Sequence, residues 1–418
     1  MHNLTKIKIF RWALWITYPF ALVLILPLVY LRRKHGSGLF FFFDRYAIGG
    51  AQRIHLDILE SVQDISKQVY FTRKSPNDTL KPDFYSVPNT ENRDIHFWCD
   101  YLFFRLFSVH YYAFYLNRHT NSRVLSANST FFYDLLPFLK KEVIAIELLH
   151  NFSYGKNGME FFGLANYKRL NYRIVYDRHT LLNIQRQYAE YGIDRNYLDK
   201  ILFIEPGVNI PEPVPKPSTA VLQVLYAGRG GPQKRVWLLN RIIEKALDEQ
   251  LPVHFHFAGP MEDELTASVK RAGTLHGQVG SKDEMNAIYS AAHLIILTSA
   301  YEGFPMVIKE GMAYGCVPLV TALEGNKMHL QHGVNALLID AIEDEDKVVE
   351  EGIELIRSIC GKPEQLRELA QHAYHYAKAH FSKPEFMQRY HAFLINGELP
   401  PTMVRDQILS GSTEHAGT

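Results

Sequence analysis

The chain is short of cysteine, balanced in charge and free of short repeats. Its three cysteines, Cys99, Cys316 and Cys360, stand far apart. They offer neither a metal-ligand spacing nor a disulfide framework, and a reducing compartment fits them best. Lys and Arg total 45 against 44 Asp and Glu, a formal net charge of +1. A protein that tracks a phosphate backbone carries a marked basic excess, so this balance argues against nucleic acid as the main partner. At 418 residues, 47% of them hydrophobic, the chain is long for one core, and two globular domains are expected.

Charge is also missing locally. From Trp12 to Tyr30 no residue is charged. As a helix this run spans roughly 28 Å, the thickness of a hydrocarbon core. Trp12, Trp15, Tyr18 and Tyr30 sit toward its ends, as interface aromatics do. Lys6, Lys8 and Arg11 precede it and Arg32, Arg33 and Lys34 follow, so the flanks balance and set no orientation. No small-residue cleavage site follows the run, which argues against a signal peptide. Pro19 and Pro27 interrupt the pattern and admit a kinked or re-entrant segment. Residues 1–37 are therefore expected to form a membrane anchor and link; the competing reading is a buried core helix.

Beyond the anchor, apolar runs at 39–43, 69–72, 143–148, 174–176 and 201–204 read as strands separated by helical patterns. The stretch EPGVNIPEPVPKPST, 205–219, holds five prolines and has linker composition. Alternation then restarts, with strands at 221–227, 253–258, 294–298 and 317–321 and helices at 237–247 and 284–292. This is α/β architecture with parallel sheets covered by helices on both faces. We expect two Rossmann-like domains, 38–208 and 209–383, then a helix over 384–396 and a tail over 397–418. Open parallel sheets bind ligands at the carboxyl ends of their strands, so facing domains would share one cleft.

Four stretches at such strand ends carry chemistry. In SAYEGFPMVIKEGMAYGCVPLVT, 299–321, Glu302 lies on the loop after a strand, and Pro305 suits the first position of a helix. Glu310 lies one to two turns into that helix, and Gly315 suits its C-terminal cap. The helix N-terminus favours phosphate, and acids beside it are suited to accept hydrogen bonds from hydroxyls. Hydroxyls flanking a diphosphate describe a sugar nucleotide; the plain alternative is a solvated helix with two surface acids. In LYAGRGGPQKRVWLL, 225–239, a Gly-rich loop carries Arg229 and Lys234, a fork and a point charge that suit a diphosphate. It lacks the Gly-Lys-Ser/Thr ending of a P-loop, and a basic turn would look the same. In FDRYAIGGAQR, 43–53, Gly49 and Gly50 open a helix directly after the first strand and allow close backbone approach. In VIAIELLHNFS, 143–153, His150 closes a strand, where a structural hydrogen bonder is the ordinary finding.

Taken together, these stretches resemble the family 4 retaining glycosyltransferases of the GT-B fold, over roughly residues 39–392. The resemblance rests on the E-x7-E pattern Glu302–Glu310 with its Gly-Phe-Pro, on the Arg229–Lys234 pair, on Gly259-Pro260, and on the hinge-like Pro206–Asn209. It implies an N-terminal acceptor domain and a C-terminal donor-nucleotide domain. Glu310 would bind the ribose hydroxyls. Glu302, with the backbone of Gly303, Phe304 and Pro305, would hold the donor sugar and phosphate. Arg229 and Lys234 would neutralise the departing diphosphate, Gly49 and Gly50 would admit the phosphate, and His150 would lie near the sugar. The sequence departs from the family at Arg235 and Ala336, where glycine is usual, which puts loop geometry in question. An acceptor hydroxyl would attack the anomeric carbon as the nucleoside diphosphate leaves, most simply in a hexosyl transfer.

The nucleotide sugar is a substrate, so no cofactor is expected, and no metal is called for. Asp344-Glu345-Asp346 mimics a metal-binding D-x-D but reads more simply as a helix start. His254 and His256 alternate along a strand with no third ligand apparent. The stretch 96–118 holds ten aromatics with few charges; it reads either as a core helix or as a surface against lipid. With an anchor close by, the expected acceptor is lipid-linked or a glycan. The expected location is the inner (plasma) membrane, with the catalytic domains cytoplasmic, in cell-envelope polysaccharide synthesis. Two competing readings are a non-catalytic nucleotide-sugar scaffold, which the presence of Glu302, Glu310, Arg229 and Lys234 speaks against and binding without turnover would revive, and a sugar-nucleotide epimerase, disfavoured by the anchor.

Overall fold

Strand 39–43 is five consecutive apolar residues, Leu-Phe-Phe-Phe-Phe, all buried, as expected of a central parallel strand covered on both faces. It anchors the first of two sheets in a computed structural model that describes residues 3–31, 36, 38–47, 49–152, 158–213, 215–216, 220–402, 405–406 and 408–409. The basic cluster Arg32, Arg33 and Lys34, part of the proline-rich linker and most of the tail lie outside the described residues. The chain divides into two compact units: 1–205 with 387–418, and 206–386.

The first unit opens with helices α1 (Asn3–Leu24) and α2 (Leu26–Leu31). Then follow β1 (Leu39–Phe43), α3 (Gly50–Glu60), β2 (Lys67–Phe71), α4 (Lys81–Ser86) and β3 (Thr90–Asp94). The aromatic stretch forms α5 (His96–Asp100) and α6 (Leu102–Leu116), before β4 (Arg123–Ala127), α7 (Thr130–Leu135) and β5 (Ile144–Leu148). α8 (Glu160–Ala165), β6 (Tyr172–Val175), α9 (Arg178–Glu190) and β7 (Ile201–Phe203) complete it. The seven strands are parallel in the order β3-β2-β1-β4-β5-β6-β7. Arg173 and Glu147 form an ion pair within the sheet layers, each side chain 1% exposed. Tyr188 and Tyr133 satisfy the pair further, Arg173 donating to the Tyr188 hydroxyl at 3.0 Å.

The second unit contains β8 (Leu222–Ala227), α10 (Val236–Asp248), β9 (Val253–Ala258), α11 (Ala267–Ala272), β10 (Thr274–Gly277) and α12 (Lys282–Ala291). It continues through β11 (Leu294–Leu297), α13 (Met306–Ala313), β12 (Val317–Thr321), α14 (Glu324–Lys327) and β13 (Leu337–Ile339). α15 (Glu345–Ile359) and α16 (Pro363–His380) follow, and the division between units falls inside α17 (Lys383–His391). Its six strands are parallel in the order β10-β9-β8-β11-β12-β13. α10 and α15 place Val, Leu and Ile at helical spacing on one face and bury them in the core of this sheet. Val208 pairs with Ser382, so the segment entering this unit runs beside the segment leaving it.

The aromatic stretch is a core helix in its second half and exposed in its first. From Ser108 onward α6 is buried except at the half-buried Tyr111, whereas Phe97, Trp98, Tyr101, Leu102 and Phe103 at α5 and the start of α6 are exposed. Helix α1 is long and apolar enough to cross a membrane, and most of it is exposed. All three cysteines are free.

Candidate active site

Each sheet changes direction of strand order once, between β1 and β4 and between β8 and β11. Loops leaving the carboxyl ends of strands at such a switch point diverge and leave a crevice. In the second unit those two loops are 228–235 and 298–305, the stretches that carry Arg229, Lys234 and Glu302.

The loops are tied together by their own residues. Gln233 accepts the Ala300 backbone N–H at 2.8 Å with its carbonyl and donates its side-chain amide to the Tyr301 carbonyl at 2.9 Å. Arg229 donates to Gln233 Oε1 at 2.7 Å. Lys234 Nζ lies 2.5 Å from Glu302 Oε1, both side chains only 12–13% exposed. This cation–acid pair is a contact that the spacing alone did not predict. Gly259, at φ +123°, brings the turn after β9 against Gly228, whose carbonyl would stand 2.1 Å from any added Cβ.

Arg235, where the resembled family has glycine, adopts a left-handed backbone (φ 50°, ψ 51°) as the N-cap of α10. Its buried guanidinium explains why a bulky residue is tolerated there. It donates to the carbonyls of Thr298 at 2.7 Å, Ser299 at 3.1 Å and Ile342 at 2.6 Å. Thr298 returns the tie, its hydroxyl donating to the carbonyls of Lys234 and Arg235, each at 3.1 Å. The departure from glycine is thus a clamp on the loop that leads to Glu302.

Pro305 is the N-cap of α13 rather than its first residue, one position earlier than expected. Glu310 lies within the helix, its carboxylate accepting from the Tyr289 hydroxyl of α12 at 2.7 Å. The helix ends as expected: Gly315 takes φ +73°, with Gly315 N–H to the Met312 carbonyl at 2.9 Å and Cys316 N–H to the Gly311 carbonyl at 2.8 Å. That is a Schellman cap. Phe304 turns inward, its ring 4.4 Å from His329 and 5.5 Å from Phe381, so its side chain packs the core and only its backbone faces the loop. Lys309, beside Glu310, is also buried and donates to the Pro206 carbonyl at 3.0 Å. Gly303 is overlain by α14: a Cβ on Gly325 would stand 1.5 Å from the Gly303 carbonyl oxygen.

In the first unit, Gly49 and Gly50 stand where α3 begins, after β1. Gly50 has open space around its Cα, and Gly49 is extended at φ 170°. Ile48 lies outside the described residues. His150 follows β5, and both of its ring nitrogens are engaged: Nε2 with His55 Nε2 at 2.7 Å and Nδ1 with the Tyr176 hydroxyl at 3.1 Å. Burial lowers the His150 pKa to about 4, and that of His55 well below its usual value, burial first and the facing imidazole second. Both rings are neutral near pH 7. No motif points to His55; only the helical spacing of α3, which turns it under Phe43, carries it to His150.

The other candidate ligands are structural. Asp344 caps α15, accepting from the Lys347 N–H at 3.2 Å, and Asp346 pairs with Arg241. His254 bonds Thr274, and His256 bonds Gln223 and His276. Among the described residues no group of three or more His, Cys, Asp or Glu is placed to hold a metal ion.

The fold is GT-B: two parallel α/β sheets, as in solved structures that match nearly the whole chain. Within it, residues 222–358 match the sequence family described as Glycosyl transferases group 1. One similar structure is HepE of Anabaena in complex with UDP-glucose, at 15% identity and TM-score 0.64, covering 85% of this chain and 99% of that one. A glycosyltransferase from Rickettsia africae gives 16% identity and TM-score 0.65, covering 90% and 99%. The lipopolysaccharide outer core galactosyltransferase WaaB gives 16% and 0.63, covering 86% and 99%. No curated protein matches the chain in sequence. The family match and these structural neighbours support a glycosyltransferase.

Proposed function

We propose that the protein is a membrane-associated, retaining, metal-independent glycosyltransferase that moves a hexose from a nucleotide sugar to a lipid-linked or glycan acceptor. The observation that carries this reading is the β8/β11 switch point, where Arg229 and the Lys234–Glu302 pair stand on facing loops ahead of the helix that holds Glu310. HepE has been captured with UDP-glucose and with UDP and glucose, which supports a nucleotide-sugar donor here.

In this reading Glu310, steadied by Tyr289, accepts the ribose hydroxyls. Glu302 and the backbone of 303–305 receive the donor sugar and phosphate. As the bond between the anomeric carbon and the diphosphate oxygen breaks, Arg229 and Lys234 stabilise the charge that develops on the leaving oxygen. The acceptor oxygen bonds to the anomeric carbon, and its proton departs with the diphosphate. Gly49 and Gly50 admit the phosphates. His150 acts near the sugar as a neutral imidazole and must exchange one of its present bonds to reach a hydroxyl.

Nuclear magnetic resonance of the transferred sugar tests the stereochemistry. The account predicts the donor's own anomeric configuration in the product, formed at an unchanged rate with chelator present. An inverted linkage would contradict it.

A further inference from the structure

Helix α1 is apolar on two faces, one packed and one open. Its inner stripe, with Leu14, Ala21 and, past the break, Val29, is buried in the same core cluster as α6. Polar contacts fasten that side: Thr17 Oγ1 is 2.9 Å from His110 Nε2, and Arg11 donates to Asn166 Oδ1 at 2.9 Å. Arg105 stands 5.6 Å from the Phe10 ring near one end of α6, and Arg118 stands 5.0 Å from the Tyr30 ring near the other. The pairs advance together along both helices, so α1 and α2 lie lengthwise on α6. The outer face is apolar and open, with Trp12 71%, Phe20 61% and Val23 72% exposed.

This docking and a bilayer crossing exclude each other. A helix laid along α6 for its whole length can cross hydrocarbon only if α6 enters as well. Behind α6 stand a sheet and the buried Glu147–Arg173 pair, which lipid cannot accommodate. We propose that α1 and α2 lie in the plane of the membrane surface and that the α5–α6 turn forms the other half of the same lipid face. Phe97, Trp98, Tyr101, Leu102 and Phe103 supply that half, all 46–66% exposed. The halves adjoin: Lys6, Ile7 and Phe10 share a cavity of about 300 Å³ with Cys99, Asp100 and Leu102.

The occupant is an anionic bilayer. The first acidic residue in the chain is Asp44, whereas Lys6, Lys8, Arg11, Arg32, Arg33 and Lys34 precede it. Exposed Trp and Tyr beside such cations suit a headgroup boundary. A symmetric contact with a second copy would set this cation-rich segment against itself. The inference rests on the membrane association proposed above and names its geometry.

Two experiments on the full-length protein test it. Single cysteines are placed at Thr5 and Gly36 in a Cys360→Ser background, leaving Cys99 and Cys316 buried. With an impermeant maleimide on sealed inside-out membrane vesicles, both sites should label equally without detergent. Labelling of one end only after permeabilisation means a spanning helix and overturns the inference, while membrane association itself stands. In flotation with phosphatidylglycerol–phosphatidylethanolamine vesicles, W98S/F103S should lower binding about ten-fold at unchanged melting temperature. Unchanged binding removes the α5–α6 half. Failure of the parent protein to float, with concentration-dependent self-association, assigns the face to a second copy and overturns both the inference and the membrane reading. Sugar transfer is read separately with a soluble acceptor.

Discussion

Arg235 is where the site's sequence and geometry meet most directly. A left-handed non-glycine backbone costs about 1–3 kcal/mol and persists only where surrounding contacts enforce it. Three carbonyls on the neighbouring loops do so here. Arg235→Gly should relax the backbone yet free the loop that carries Glu302. The expected result is kcat/KM lower by about ten-fold or more with the circular dichroism spectrum retained; unimpaired turnover would show that the clamp is dispensable. His150 makes a prediction about pH. Its folded pKa, lowered by burial to about 4, lies below the usual 6.5, so the unfolded chain takes up a proton first as pH falls. Its contribution is therefore constant above pH 6.5 and declines by about 1.4 kcal/mol per unit from there toward pH 4. Denaturant titrations at pH 7.5 and 5 should show this loss, and His150→Asn should make it smaller, leaving the shares of His55, His110 and His256, whose pKa values burial also lowers.

At the scale of elements, legibility followed continuous apolar runs of about four or more residues. Strands with continuous apolar runs, such as β1 and β12, were readable to the residue, because a parallel strand covered on both faces has no polar side to show. β3, Thr-Glu-Asn-Arg-Asp, was not, since an edge strand of five polar residues has neither a run nor an alternation to find. The edge strands β10 and β13 also escaped, the second because three apolar residues are too short a run, and so did the central strand β4, whose Arg-Val-Leu-Ser-Ala is buried past Arg123 but interrupts its apolar residues with a serine. Among the proposed site residues, Glu302, Glu310, Arg229 and Lys234 stand out in the sequence by their spacing. Gln233 and Tyr289, which hold Arg229 and Glu310, did not, and neither did His55, which bonds His150, because these contacts are tertiary and no local pattern encodes them. Gly325 is another such support, and α14 approaches Gly303 only because it lacks a Cβ. Gly325→Ala must push α14 or the 302–305 loop aside. We expect activity to fall about a hundred-fold with secondary structure intact, and near-parental kinetics would mean that the loop position is not critical.

At the scale of the whole molecule, the account joins two claims that fail independently. One concerns α1 and lipid. The other, the central one, is that the second unit binds a nucleotide sugar through α13 and the β8/β11 loops. Ligand bound to the native state raises its apparent stability, by about 2.7 kcal/mol at a hundred times the dissociation constant. The most direct measurement is thermal unfolding of the purified protein against UDP-, GDP-, ADP- and TDP-sugars in the absence of added metal. The account predicts a clear rise with one donor class and its loss in Glu310→Ala, whose own melting temperature should stay near the parent's. A rise that survives Glu310→Ala, or no rise with any donor, would contradict it.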